Sequence, residues 1–273
     1  MRILVLSLFL YGSLSFAAEK RDIQIIESAG EAVLGEDTTP AQARALALNN
    51  ARRSAIEQAS GAIVHGSTVV YNFQLISDLI ASSSRGVIVQ EEILSDDTRK
   101  EGKEIIYAVK IRAQVKTLEN REKGNLKIVK ATVGRYGSAS AGATTVFQEN
   151  DEMQIRAKVN ADAYIHIFGI GQNGMVARIY PNEYFKGEMV SSQTEFIFPN
   201  ERQRELGLKL KVRTPAGLSR GIETVLIAAT KEKVDFLSDK TGGEITVTDL
   251  MKELSDVEPS LWTETTVGYE VRK

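Results

Sequence analysis

The stretch "MQIRAKVNADAYIHIF", residues 153 to 168, alternates apolar and polar side chains for sixteen residues. Met153, Ile155, Ala157, Val159, Ala161, Ile165 and Ile167 share one face, and Gln154, Arg156, Lys158, Asn160, Asp162 and His166 share the other. A helix repeats every 3.6 residues and would scatter this pattern round its circumference, whereas a strand repeats every two. The chain is therefore committed to at least one half-buried sheet. "ELGLKLKVR" continues the theme with Leu206, Leu208, Leu210 and Val212 on one side, and "TTVGYEVRK" alternates through Val267, Tyr269 and Val271. "GIETVLIAAT" is a continuous apolar run and predicts a central strand. The only helical pattern after residue 125 is "TDLMKELS", with Thr248 as its candidate cap. Short strands separated by turn signals predict a β-sandwich for this half.

The first half mixes both periods. "DIQIIESAGEAVLG" reads as a strand ending at Gly35. In "TTPAQARALALNNARRSAIEQASG", Thr39 caps a helix, Pro40 suits its first position and Gly61 suits the position just past its end. Ala45, Leu48, Ala51, Ala55, Ile56 and Ala59 recur at helical spacing, and a face so rich in alanine predicts close approach to a sheet. "AIVHGSTVVY" is β-rich. "NFQLISDLIASSS" reads as a second, short helix with Ile76, Leu79, Ile80 and Ser83 along one side. "GVIVQEEIL" and "EIIYAVKIRAQVK" then read as two strands joined by the polar loop "SDDTRKEGK". In the second of them Tyr107, Val109, Ile111, Ala113 and Val115 point one way, while Lys110, Arg112, Gln114 and Lys116 point the other, as in a half-buried antiparallel strand. The charged stretch "KTLENREKGN", residues 116 to 125, separates the two patterns and marks a domain boundary.

Of the 273 residues, 42% are hydrophobic and 26% charged, the proportions of a globular protein with a core. A formal net charge of −2 offers no electrostatic case for nucleic acid, which calls for a basic face. Cysteine is absent, so there is no disulfide framework, thiolate metal site or cysteine nucleophile. "MRILVLSLFLYGSLSFA" carries Arg2, an apolar run from Ile3 to Tyr11, and small residues at Ser15 and Ala17. This reads as a secretory leader cut between Ala17 and Ala18. Its apolar run is shorter than the roughly 20 residues a membrane span needs, and no later segment approaches that length without charges. With no cysteine at the cut, the expected product is a periplasmic protein that carries no lipid and has no transmembrane segment after cleavage.

Residues 168 to 175, "FGIGQNGM", spell G-x-G-x-x-G, the dinucleotide fingerprint. That motif needs a helix after its glycines, whose free N–H groups hold the pyrophosphate. Instead the glycines lead into "MVARIYPN", which is β-branched and aromatic and stops at Pro181. Asn173 and Gly174 between two apolar runs predict a type I′ hairpin turn, and no nicotinamide cofactor is expected. The two histidines, His65 and His166, lie in different halves and in no zinc-binding spacing; His166 reads as a surface residue on the polar face of its strand. Glu91-Glu92 and Asp96-Asp97 are adjacent carboxylates, the second pair in the expected hairpin loop, where solvated charge is ordinary. The 95 to 101 loop matches no established calcium-binding spacing. Neither G-x-S-x-G nor a P-loop is present. No catalytic residue, cofactor or metal is therefore expected, and the chain reads as non-enzymatic. Tyr180, Tyr184, Phe185, Phe196 and Phe198 crowd into nineteen residues among prolines. They read as sandwich core and loop plugging, or as a candidate patch that grips a partner chain or glycan.

Two longer runs carry resemblances. The run from "GEAVLGEDTTPAQARALALNNARRSAIEQASG" through "SSRGVIVQEEILSD" to "YAVKIRAQV" resembles the N-terminal domain of flagellar assembly protein T, which shares its pattern with small envelope lipoproteins of the LPP-twenty type. The matching features are Ala43, Arg44, Ala47, Ala51 and Arg52 on the helix, the "EQASG" ending and "SSRGVI" before the paired strands. The resemblance implies an α+β envelope assembly module with two helices on an antiparallel sheet and no catalytic residues. From residue 130 onward, "DAYIHIFGIGQNGMVARIYPNEY", "FIFP", "TPAGLSRGIETVLIAAT" and "LWTETTVGYEV" resemble a β-rich domain of unknown function from bacterial envelope and signalling proteins. This implies a binding or scaffolding module.

The expected fold class is α+β: a leader at 1–17, a two-helix antiparallel-sheet domain at 18–120, and a mostly-β, sandwich-like domain at 121–273. The expected function is a non-catalytic periplasmic scaffold or assembly factor whose partners are envelope, secretion or flagellar-type proteins. The alternative is a periplasmic sensor that recognises a peptide or glycan.

Overall fold

A computed structural model of the protein describes residues 23–35, 38–61, 72–83, 85–118, 124–137, 146–238 and 244–273. The leader with Ala17 and Ala18, the stretch "AIVHGSTVVY" with His65, and the Ser83 side chain lie outside the described residues.

Strand β1 (Ile23–Leu34) pairs antiparallel with β3 (Glu104–Thr117), and β3 pairs antiparallel with β2 (Gly86–Glu101), giving the order β1-β3-β2. Helix α1 (Pro40–Ala59) lies on one face of this sheet. Thr39 and Gln42 cap its start reciprocally, Pro40 opens its first turn, and Gly61 follows its end at φ +67°. Its buried face centres on Ala43, Ala47, Ala51 and Ala55. Ala45 and Leu48, expected on that face, are only half-buried. Small side chains let the backbones nearly touch: a Cβ on Gly30 of β1 would overlap the Ala47 carbonyl and the Ala51 nitrogen. Helix α2 (Asn72–Ser83) buries Ile76, Leu79 and Ile80.

The loop expected between the two long strands is not a loop. Residues 95–101 continue β2, and the chain reverses at Gly102-Lys103, with Glu101 opposite Glu104. Polar composition misled here because the charges have cross-strand and helical partners: Arg99 with Glu31 of β1, and Asp96 with Arg44 of α1.

The sixteen-residue alternation is likewise not one strand. It divides into β6 (Glu152–Val159) and β7 (Ala163–Ile170), which belong to different sheets. Asn160 holds the crossing, accepting from the Lys127 N–H at 2.6 Å and donating to the Asn125 carbonyl at 2.7 Å. The alternation survives because both strands turn their apolar side chains towards the same core. In one sheet β4 (Ile128–Arg135) runs along one edge of β6, while β10 (Phe196–Phe198) and β11 (Leu210–Lys211) share the other. The second sheet has the order β5-β13-β12-β7-β8, formed by β5 (Val146–Gln148), β13 (Trp262–Arg272), β12 (Arg220–Thr230), β7 and β8 (Val176–Tyr180). A short β9 (Met189–Val190) also pairs with β7. The apolar run thus lies centrally as β12, hydrogen-bonded on both sides. Ile155, Ala157, Ile165, Ile167, Val225 and Ile227 fill the space between the two sheets. The fold is mostly β and sandwich-like.

Two local expectations fail for capping reasons. Asn200 and Gln203 cap a short helix α3 (Glu201–Glu205). That helix takes the start of the expected "ELGLKLKVR" strand and leaves Leu206 75% exposed. Helix α4 (Val247–Asp256) is capped by Thr246 with Asp249, two residues before Thr248.

The far face of the β12 sheet is buried too. Phe168, Ile170, Leu226 and Ala228 pack in one cluster with Ile76, Leu79 and Ile80 of α2, Leu250, Met251 and Leu254 of α4, and Ala51 and Ala55 of α1. The layers run from the β1-β3-β2 sheet through the helices and the β12 sheet to the β6 sheet. Elements on both sides of the 116–125 stretch share the helical layer's core.

Candidate interaction surfaces

The aromatic residues 180 to 198 do not form a surface patch. Tyr180 and Phe198 are buried, and Phe185 and Phe196 are half-buried against the sandwich core. Tyr180 lies 5.1 Å from Phe196 and 5.0 Å from Phe198 between ring centroids, and Phe185 meets Phe198 edge-on at 6.1 Å. Such offset and edge contacts belong to a packed interior. Only Tyr184, 78% exposed, faces solvent.

The glycine-rich stretch forms a hairpin between β7 and β8, but the turn differs from the expected type I′. Gly174 stands at φ +78°, while Asn173 is not at positive φ. The Gly174 N–H donates to the Gly171 carbonyl at 2.8 Å, and the Gly171 N–H donates to the Met175 carbonyl at 3.0 Å. This is a three-residue loop: a normal turn over 171–174 ended by a left-handed glycine. Asn173 contributes its Oδ1, which accepts from the Met175 N–H at 3.1 Å.

His166 is buried, contrary to its reading as a surface residue. The "polar" face of β7 is covered by the helical layer, and the imidazole and Phe236 rings meet in a T-shaped arrangement with centroids 4.8 Å apart. Its Nε2 lies 3.1 Å from Thr230 Oγ1, and the Thr230 hydroxyl donates to the Glu232 carbonyl. The hydroxyl's proton is thus engaged, so Nε2 carries the imidazole proton and donates. Burial pushes the His166 pKa down to about 4. On the opposite face of the same sheet, Glu223 accepts from the Tyr269 hydroxyl at 2.5 Å, and burial raises both groups above their ordinary values. Among the described residues no cluster of three or more His, Asp or Glu could hold a metal ion. Glu91, Asp96 and Asp97 all lie on β2 rather than around a loop; Glu91 pairs with Arg52 and Asp96 with Arg44.

The molecule does present the outer face and free edge of its first sheet. Opposite the face covered by α1, Glu27 accepts from Lys110 at 2.8 Å and from Arg112 at 2.9 Å, and Arg112 also reaches Glu92. Arg99 grips both oxygens of Glu31. Hydrogen bonds from Lys110 and Arg112 hold the Glu27 carboxyl below its usual range, and Arg99 does the same for Glu31. Exposed pairs of this kind add little stability, but they satisfy the face's charges internally. Strand β3 occupies one edge of β1, and among the described residues no strand occupies the other. Ile23 and Ile25 stand there 47% and 68% exposed. From α1, Asn50 donates to the Glu31 carbonyl and covers that point of the strand.

Comparison with known proteins covers the sandwich alone. Residues 146–233 match a family described as a domain of unknown function (DUF4384). The matched segment runs from β5 through β12 and just beyond, so it contains the hairpin and the aromatic core but neither α4 nor β13. No curated protein matches the chain. Among the described residues, no helix is long and apolar enough to cross a membrane.

Proposed function

We propose that this protein is a non-catalytic scaffold or assembly factor of the bacterial envelope, exported by the leader ending at Ala17 and acting through protein–protein contacts. In this reading residues 18–120 form the contact module and residues 121–273 the β-module that supports it. The observation that carries the proposal is the open edge of β1. Unpaired strand edges are usually shielded by charge, proline or a bulge, because they recruit other strands. Here, among the described residues, no strand pairs with this edge, and the strand carries two exposed isoleucines. That is the geometry on which an extended segment of a partner adds as a further strand. The likeness of this half to the flagellar assembly protein T and LPP-twenty patterns supports an envelope partner of secretion or flagellar type.

The experiment is cross-linking with mass spectrometry on envelope fractions, comparing the parent with an Ile23→Lys, Ile25→Lys variant. The parent is expected to recover a consistent envelope partner, and the variant to lose it while keeping the parent's melting temperature. Equal recovery by both would remove β1 from the contact. Recovery of the parent without any partner would sink the scaffold reading.

A further inference from the structure

The hairpin tip between β7 and β8 lies where three parts of the molecule meet. Its Gly174 carbonyl accepts from the Val247 N–H at 2.8 Å, and the Val176 N–H donates to the Ile245 carbonyl at 2.8 Å. Met175 bridges Thr246, the residue that caps α4, so the tip seats the start of that helix. Gln172, buried at the same tip, accepts from the Ile222 N–H of β12. On its remaining side the tip meets α1: a Cβ on Gly174 would stand 2.7 Å from Asn49 Nδ2 and 3.3 Å from Asn49 Oδ1. Asn49 is 1% exposed, and among the described residues its Nδ2 has no hydrogen-bond partner. Its Oδ1 accepts from Arg52, which in turn pairs with Glu91 of β2.

We propose that the hairpin tip is the latch that holds the N-terminal layer against the β12 sheet, with the Asn49–Gly174 contact as its closing point. A contiguous set of contacts leads from the tip through Asn49 and Arg52 to Glu91 in the first sheet, and directly through backbone hydrogen bonds to α4. Both α1 and α4 contribute to the core that covers Phe168, Ile170, Leu226 and Ala228. Opening the latch parts that core and bares this apolar face, which is otherwise hidden. The unpartnered Asn49 Nδ2 fits this role. Among the described residues fit against a glycine, not a hydrogen bond from this Nδ2, joins the two layers at this point, and a side chain at position 174 would press on the Asn49 amide. These contacts lie within one chain and apart from the β1 edge.

A double-mutant cycle on the full chain tests it, read by calorimetry and by the fluorescence of anilinonaphthalene sulfonate, a dye that reports exposed apolar surface. The parent is expected to melt in one transition with little dye bound below it. Gly174→Ala should split the transition in two and raise dye binding several-fold below the main melt. Adding Asn49→Ala should restore one transition, because it makes room for the new methyl group. A positive φ at position 174 strains alanine with or without Asn49, so a turn effect alone would lower one transition, with no splitting and no rescue. That result would overturn the proposal. Asn49→Gln leaves the glycine in place and lengthens the side chain facing it. It should split the melt as well, and a single transition there would equally reject the latch even if Gly174→Ala fails to fold.

Discussion

His166, buried, and Glu223, half-buried, lie on opposite faces of one sheet, and each ties stability to pH in its own direction. The folded protein holds His166 near 4, below the ordinary value of 6.5, so it favours the neutral ring. The unfolded chain takes up the proton first as pH falls. His166's contribution is full above about pH 6.5 and is lost on the way down to 4, costing roughly 2 kcal/mol between pH 7 and pH 5. Unfolding free energies from urea titrations should fall by that amount over this window, and His166→Gln should flatten the slope. Glu223 runs the other way, because its folded value lies above 4.5. Its contribution is full below the ordinary carboxylate range and is lost as pH rises through the raised value. Glu223→Gln, still able to accept from Tyr269, should therefore gain on the parent as pH rises above the ordinary carboxylate range in paired urea titrations. Only one of these environments was legible in the sequence. Tyr269 falls on the apolar face of an alternating strand, but alternation places His166 on a polar face, and nothing local reveals that a helical layer covers it.

At the scale of elements, the contact between α1 and β1 is the most exacting. The backbones approach so closely at Gly30 that any side chain must push the helix away. Gly30→Ala should cost about 2–3 kcal/mol by chemical denaturation, at the upper end of overpacking losses. In the aromatic cluster the buried and exposed members separate cleanly. Phe198→Ala should lose about 3–5 kcal/mol through the cavity it leaves, while Tyr184→Ala should stay within about 0.5 kcal/mol of the parent. A comparable loss at Tyr184 would contradict its exposure. Elements that carry their own punctuation were readable: Thr39, Pro40 and Gly61 bracket α1 closely, and the unbroken apolar run of β12 announces a central strand. Elements defined by distant partners were not. The outer part of β2 is polar and looks like a loop until Glu31 and Arg44 are brought beside it. The break at Asn160 is invisible to periodicity, because both strands on either side of it serve one core.

At the scale of the whole molecule, the described residues form two cores and four layers, and the β12 sheet belongs to both cores. Removing the N-terminal half should therefore damage what remains. A chain beginning at residue 124 is expected to bind anilinonaphthalene sulfonate and to self-associate in sedimentation, since Phe168, Ile170, Leu226 and Ala228 lose the cover that α1 and α2 provide. A monodisperse product with parent-like dye binding would show that the layers are separable after all. The central place of β12 also sets an order of events. One of its neighbours, β7, precedes it in the chain, but the other, β13, is made only after α4. A chain emerging amino-terminus first thus holds Val225, Leu226, Ile227, Ala228 and Ala229 on an unpaired edge until Trp262–Arg272 arrives. That edge is β-prone, uncharged and free to pair with a neighbouring copy. A chain stopped before Trp262 is therefore expected to self-associate in sedimentation, and the last strand of the sequence to act as the cover that ends that exposure.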